Sequence, residues 1–437
     1  MKVNRLSWTK RWLMAALAVG TFAAADAQTA DSTALGSDSL IVQKLRKKNV
    51  KFSHDNSVTL LMSGQEKFDD MFEAIRQARS SIHLEYFNFR NDSVARLLFT
   101  ILEAKAEQGV EVRALFDGFG NTSNNRPLKK SHLAAIRSHG VQIYEFNPVK
   151  FPWIDDIFNR DHRKIVVIDG QLAYTGGMNV ADYYIVGKPE LGAWRDFHAR
   201  LEGEIVNDLQ KEFLEIWNFA TRQHVSGPEF YTGYKDGRDF FSGLRADTTA
   251  TSGMKTLGVV SRGPSAPRRK IHQAFIYGIR SAQSEITLMN PYFTLCRHLR
   301  REFRKAMERG VKLNILVSAK SDIPITPRVV EHNVHRLMKR GATVYFYEDG
   351  FQHGKVMMVD SVLTFMGSAN LDSRSLTADF ECNVAVCDRA TTLEFLRFYQ
   401  KAVENDAWQL TDETWKSRFS RKKRFGAWFW QFLWPFL

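Results

Sequence analysis

Two copies of His-x-Lys-x-x-x-x-Asp stand in this chain, at His162, Lys164 and Asp169 and again at His353, Lys355 and Asp360. Seventeen positions after each histidine comes the asparagine of a Gly-x-x-Asn sequence, Gly176-Gly177-Met178-Asn179 or Gly367-Ser368-Ala369-Asn370. One such match is within reach of chance; two with the same follower are not. Histidine is the side chain that exchanges protons near neutral pH. Two of them can divide a phosphoryl or phosphatidyl transfer, one imidazole attacking phosphorus while the other protonates the departing oxygen. The lysines, with Asn179 and Asn370, supply the charge and donors that phosphate oxygens need, so the chemistry calls for no metal ion or other cofactor. What remains is a carboxylate to hold the second nitrogen of each ring. The candidates are Asp196, in Trp194-Arg195-Asp196-Phe197, and Glu381, in Asp379-Phe380-Glu381. Asp169 and Asp360 complete the two catalytic signatures, yet each ends an apolar strand and is expected to stabilise a turn or pair with a basic group.

The elements that must position these residues are themselves duplicated. Residues 76–84 resemble residues 280–288, a helix end followed by a strand. Asp92 is a plausible N-cap for the apolar stripe Val94, Leu97, Leu98, Ile101 and Leu102, which stops at Gly109; Leu299, Phe303 and Met307 form the matching stripe before Gly310. Buried-strand signals follow at 110–116 and 311–317, then a helix ending at Gly140 or Gly341, then strands at 141–146 and 343–347. Each motif is expected to lie on a strand and its following turn, marked by the short apolar runs 165–168 and 356–359, so that His and Lys at alternate positions point to the same side of the strand. Alternating strands and helices predict an α/β sheet covered by helices, once per half.

Composition sets the frame. The chain has 437 residues, 44% hydrophobic and 25% charged, long enough for two domains with their own cores. A formal net charge of +13 favours an anionic partner. Three cysteines in irregular positions (Cys296, Cys382, Cys387) exclude a disulfide framework, and no Cys/His cluster suggests zinc. Lys2, Arg5, Lys10 and Arg11 precede an apolar run that ends at Ala25-Asp26-Ala27, which reads as a cleaved secretory signal, with an uncleaved anchor as the alternative. At the other end Lys416, Arg418, Arg421, Lys422, Lys423 and Arg424 lead into an aromatic tail, a pattern suited to an anionic membrane surface. Docking of its aromatics on the protein's own core is the competing expectation.

The two motifs resemble the paired HKD signatures of the phospholipase D superfamily. Asn159-Arg160-Asp161-His162-Arg163-Lys164, Thr175-Gly176-Gly177-Met178-Asn179, Trp194-Arg195-Asp196, Asn290-Pro291-Tyr292-Phe293 and the run from Gly367 through Ser375 are similar to its bacterial cardiolipin synthase branch. The resemblance implies two repeated phospholipase D-type α/β sandwich domains forming a pseudo-twofold monomer, with both motifs at one active site. It implies a transient phosphohistidine at His162, with His353 as acid and then base, Asp196 and Glu381 orienting the two histidines, and Asn179, Asn370 and Ser368 binding phosphate. A phosphatidyl group would pass from one phosphatidylglycerol to another, releasing glycerol. Three departures stand out: Gly177 faces Ser368 in the repeat, Asp379 replaces the branch's common Asn, and paired membrane helices before the catalytic region are not seen.

The resulting plan is a signal peptide at 1–27, a poorly ordered lead-in at 28–48, catalytic domains at 49–224 and 256–412, a linker at 225–255 and a membrane-interacting tail at 413–437. Phe151-Pro152-Trp153-Ile154, beside the first motif, is a second candidate membrane contact. The expected location is the periplasmic face, exported and peripherally attached, with no obligate protein partner. A secreted phospholipase D producing phosphatidic acid is the main alternative. A nuclease of the same superfamily fits the charge but not the aromatic tail, and a binding protein has no use for two intact His/Lys/Asn sets.

Overall fold

A computed structural model describes residues 40–149, 159–231, 255–266, 269–324 and 326–430. The segment expected to be a signal peptide, residues 151–154, most of the expected linker and residues 431–437 lie outside the described residues. In chain order the strands are β1 (Phe52–Ser53), β2 (Asn56–Leu61), β3 (Ser81–Tyr86), β4 (Glu111–Asp117), β5 (Gln142–Phe146), β6 (Ile165–Ile168), β7 (Leu172–Gly176), β8 (Trp194–Arg195) and β9 (His198–Gly203). The second half continues with β10 (Thr256–Arg262), β11 (Glu285–Met289), β12 (Lys312–Ser318), β13 (Thr343–Tyr347), β14 (Phe351–Gln352), β15 (Val356–Val359), β16 (Leu363–Gly367), β17 (Glu381–Cys387) and β18 (Ala407–Gln409).

One sheet runs β2-β9-β7-β6-β3-β4-β5 and the other β1-β10-β17-β16-β15-β11-β12-β13-β18. The inner seven strands of the second reproduce the first: a parallel trio, β3-β4-β5 or β11-β12-β13, joined to antiparallel neighbours through β6 or β15. The duplicated α/β plan expected from sequence is therefore present in both halves. Sequence-readable stops delimit the elements. Asp92 accepts from the Ala95 amide and caps helix Ser93–Glu107, which ends ahead of Gly109 at φ +88°, a backbone position that favours glycine. One face of each sheet is covered by its own helices, and the other faces share an apolar cluster that includes Val167, Ala173 and Leu201 from the first half and Val259, Met358 and Val384 from the second. Each of the larger side chains in this cluster contributes about 1.5–3 kcal/mol of burial, so the halves are held in fixed register.

Three boundaries differ from expectation. Within the supposed lead-in, Leu40–Arg46 is a helix whose Ile41, Val42 and Leu45 are buried in the second half's core, and β1 pairs with β10. The chain thus begins its described course on the second sheet before building the first. The linker's opening residues are also packed, with Phe230 buried and its ring 5.2 Å from that of His83. Finally, the second core extends past residue 412: Trp415 stacks on His335 at 4.1 Å and, with Phe419, is buried.

Candidate active site

The strand of each motif begins only after its lysine, at Ile165 or Val356. His162, Lys164, His353 and Lys355 therefore lie in the extended lead-ins, a correction to their placement on the strands. Each lead-in is fastened to the opposite half. The His162 amide donates to the Phe380 carbonyl at 3.0 Å, and the Phe380 amide donates to Arg160 at 2.8 Å. On the other side β14 pairs in parallel with β8, and the His353 amide donates to the Arg195 carbonyl at 2.7 Å. The residue after Phe380 is Glu381, and the residue after Arg195 is Asp196. This register crosses the carboxylates between halves: His162 Nδ1 lies 3.0 Å from Glu381 Oε1, and His353 Nδ1 lies 2.6 Å from Asp196 Oδ2. With Nδ1 held, Nε2 is the open position on each ring.

The lysines are buried and turned back on their motifs. Lys164 Nζ donates to the His162 carbonyl; Lys355 Nζ donates to the His353 carbonyl and stands 3.7 Å from Asp196. Burial, then the charges of Lys164 and Lys355, hold the His162 imidazole well below its ordinary pKa, so it rests neutral. Burial lowers His353 too, helped by Lys355 and opposed by Asp196. The two carboxylates differ. Burial opposes ionisation of Asp196, but Lys355 and His353 outweigh it and hold that carboxyl below the usual range. Burial pushes Glu381 up to about 7, and burial brings Lys164 down to about 7.

The Gly177/Ser368 difference belongs to these carboxylates. Ser368 is fully buried and its hydroxyl donates to Glu381 Oε2. Its expected role as a phosphate ligand is therefore corrected: its donor is spent on the carboxylate. At Gly177 a methyl group would overlap the Asp196 carboxylate, so the shorter residue leaves room for the acid rather than bringing the backbone up to a phosphate. Asn179 and Asn370 are buried beside the histidines, and Oδ1 of each lacks a partner among the described residues. Buried polar atoms without partners are costly; each open Oδ1 can accept from a substrate hydroxyl, while the NH2 group of the same amide is the donor a phosphate oxygen needs.

Asp169 and Asp360 do not reach the histidines. Asp169 accepts from the amides of Arg79, Ser80 and Ser81 at 2.7–2.9 Å, and Asp360 from those of Gln283, Ser284 and Glu285 at 2.8–2.9 Å. Both pin the entry of the neighbouring strand, so their place is in the turns and not in the catalytic set. Asp379 is satisfied by Arg374 at 3.2 Å and by the Arg160 amide at 3.2 Å, which accounts for a charge at that position.

His162, His353, Asn179 and Asn370 line one cavity of about 980 Å³. Sequence reasoning missed much of its wall. Phe87 meets the His162 ring edge-on at 5.1 Å, Trp194 stands 5.2 Å from His353, and Tyr183 and Tyr184 continue the aromatic surface. These residues carry no motif spacing; only Trp194 and Tyr292 fell within segments already singled out. Arg163, between the motif's His and Lys, was also unassigned: it is buried against Glu85 at 2.6 Å and Glu212 at 3.0 Å and anchors the lead-in.

The family model described as cardiolipin synthase, PLD-like domain, matches residues 71–217 and 275–405, one segment in each half. Cardiolipin synthase 2 of Staphylococcus epidermidis is 35% identical over 384 residues, 86% of this chain and 74% of that protein. A cardiolipin synthase of Staphylococcus aureus is 34% identical over 385 residues, 87% and 73% respectively. Among solved structures, phosphatidylserine synthase of Haemophilus influenzae shares the fold at 14% identity, with a TM-score of 0.66 over 90% of this chain and 99% of that one.

Proposed function

The chain belongs to the cardiolipin synthase family of phospholipase D-like enzymes, and from that premise we propose that it moves a phosphatidyl group from one phosphatidylglycerol to another and releases glycerol. The observation that carries the reading is the pair of histidines on one cavity, each held at Nδ1 by a carboxylate from the opposite half. His162, neutral at rest, attacks phosphorus through Nε2, and the P–O bond to the glycerol headgroup breaks as His353 delivers a proton to that oxygen. The resulting phosphohistidine is attacked by the hydroxyl of a second phosphatidylglycerol, whose proton passes to His353, and the P–N bond breaks to give cardiolipin. Glu381 balances the positive charge on His162, while Lys164, Lys355, Asn179 and Asn370 hold the phosphate oxygens.

A peripheral site on an anionic membrane is part of the same proposal. No helix of the described residues is long and apolar enough to cross a membrane. The terminal helix Arg421–Trp430 exposes Phe425, Trp428 and Phe429 among its basic residues. Export to the periplasmic face rests on the signal-like sequence alone. Incubation with phosphatidylglycerol vesicles followed by mass analysis tests the reaction: cardiolipin with glycerol is expected, whereas phosphatidic acid alone would make the enzyme a hydrolase. Cleavage of added DNA with no lipid product would overturn both.

A further inference from the structure

The outer part of the cavity differs in character from the histidine end. Val186 is 79% exposed and Ile323 42% exposed, and both lie on its wall together with Lys188 and Arg126. Exposed aliphatic residues beside a polar opening suit contact with lipid chains. The Lys188 ammonium stands 4.8 Å from the Tyr183 ring and 4.5 Å from the Trp194 ring, while its backbone is fixed by a turn in which Lys188 and Gly192 exchange hydrogen bonds. Neither Lys188 nor Arg126 has a carboxylate partner among the described residues. The neighbouring Arg90 is committed, to Asp92 at 3.1 Å and to Asn125 at 2.9 Å. Most carboxylates of the opening are also engaged: Asp182 accepts from the Ser93 and Val94 amides, and Asp322 from the Tyr292 hydroxyl, which leaves Glu190.

A transfer between two anionic lipids needs two anion sites, because the first phosphate, once on His162, occupies the deep lysines and asparagines. A second phosphate approaching that intermediate is repelled unless cations of its own meet it. We propose that Lys188 and Arg126 hold the phosphate of the acceptor phospholipid at the cavity mouth, with Val186 and Ile323 against its acyl chains. This rests on the transfer reading above and adds to it a second lipid site.

The test uses the full chain, vesicles of phosphatidylglycerol in phosphatidylcholine, and labelled glycerol. Two rates are read: formation of cardiolipin, and exchange of labelled glycerol into phosphatidylglycerol, which uses the donor site with a small, uncharged acceptor. In the double variant Lys188→Ala/Arg126→Ala, cardiolipin formation falls about tenfold or more, as expected for lost charge-assisted hydrogen bonds, while glycerol exchange stays within about twofold of the unaltered protein. The charge-keeping pair Lys188→Arg/Arg126→Lys restores most cardiolipin formation. A parallel fall in both rates, or no fall in either, overturns the acceptor site. Glycerol exchange without cardiolipin in the unaltered protein removes the transfer reading and the site with it, and that failure shows before any variant is made.

Discussion

At the scale of single residues, the two histidines share a geometry but not an environment. Asp196 is ionised and fits against Gly177, whereas Glu381 titrates at about 7 and takes a hydrogen bond from Ser368. Replacing either His162 or His353 by Ala removes a reacting group, and kcat is expected to drop at least about a thousandfold with the circular dichroism spectrum unchanged; near-normal turnover in either variant would reject the two-histidine mechanism. The pH dependence follows from Glu381 and Lys164. Catalysis requires Glu381 ionised to support an imidazolium and Lys164 protonated to meet phosphate, and both sit at about 7. A bell in kcat/KM is therefore expected, its falling arm shared with loss of the proton that His353 must deliver, with apparent constants that belong to the coupled set. The Ser368 hydroxyl favours the charged carboxylate, so Ser368→Ala moves the rising arm to higher pH; an unmoved arm would show that Ser368 does not act through Glu381. Stability responds in the opposite sense to activity. A carboxyl raised to about 7 keeps a proton in the native state that the unfolded chain has released, so its contribution falls as pH climbs from its ordinary value of 4.5 to about 7. Glu381→Gln removes that fall, which thermal unfolding across the same window will detect.

At the scale of elements, the site is made by segments too short to announce themselves. β8 and β14 are two residues each, and the contact of Asp161 with Phe380 is a single bridge, yet these pairings decide which carboxylate meets which histidine. Periodicity needs longer runs, so the crossing of Asp196 and Glu381 between halves had no local signal, although both residues were legible as candidates. Strands with apolar runs were readable: β6, β13 and β15 fall on the residues expected, and the Asp92 cap holds the helix it was expected to hold. Ser368 was read by its neighbours in the motif, and only its burial against Glu381 revealed what it binds. The aspartates of the motif show the reverse error, since their sequence company is catalytic and their contacts are backbone amides. Asp169→Ala strands three amides at the entry of β3 and substitutes alanine at φ +52°. A loss of about 2–4 kcal/mol in chemical denaturation is expected, while kcat of the protein that remains folded stays within about tenfold. A collapse of kcat at unchanged stability would return Asp169 to the chemistry.

At the scale of the molecule, the question is how this pair of sheets reaches a substrate that lives in a bilayer. The C-terminal region divides the labour in a way neither sequence expectation captured alone. Trp415 and Phe419 dock on the protein's own core, while Phe425, Trp428 and Phe429 beyond them are 47–64% exposed, alongside exposed Arg421, Lys422 and Lys423. Among the described residues after Phe419, Ala427 is the buried hydrophobic one. A chain ending at Phe419 therefore keeps the aromatic plug that seals the second core and loses the exposed face. Each basic residue near an anionic surface contributes about 1 kcal/mol, with an interfacial increment from each aromatic ring. Sedimentation with phosphatidylglycerol vesicles is expected to show binding weakened at least about tenfold in the shortened chain, and weakened for the full chain by high salt, which screens charge but not the apolar part. Activity on a short-chain phosphatidylglycerol dispersed below its aggregation limit should survive the truncation, because the histidine cavity is built entirely before residue 420. Equal vesicle binding by the two chains would leave the exposed helix without a membrane role and move that role to the apolar rim at Val186 and Ile323.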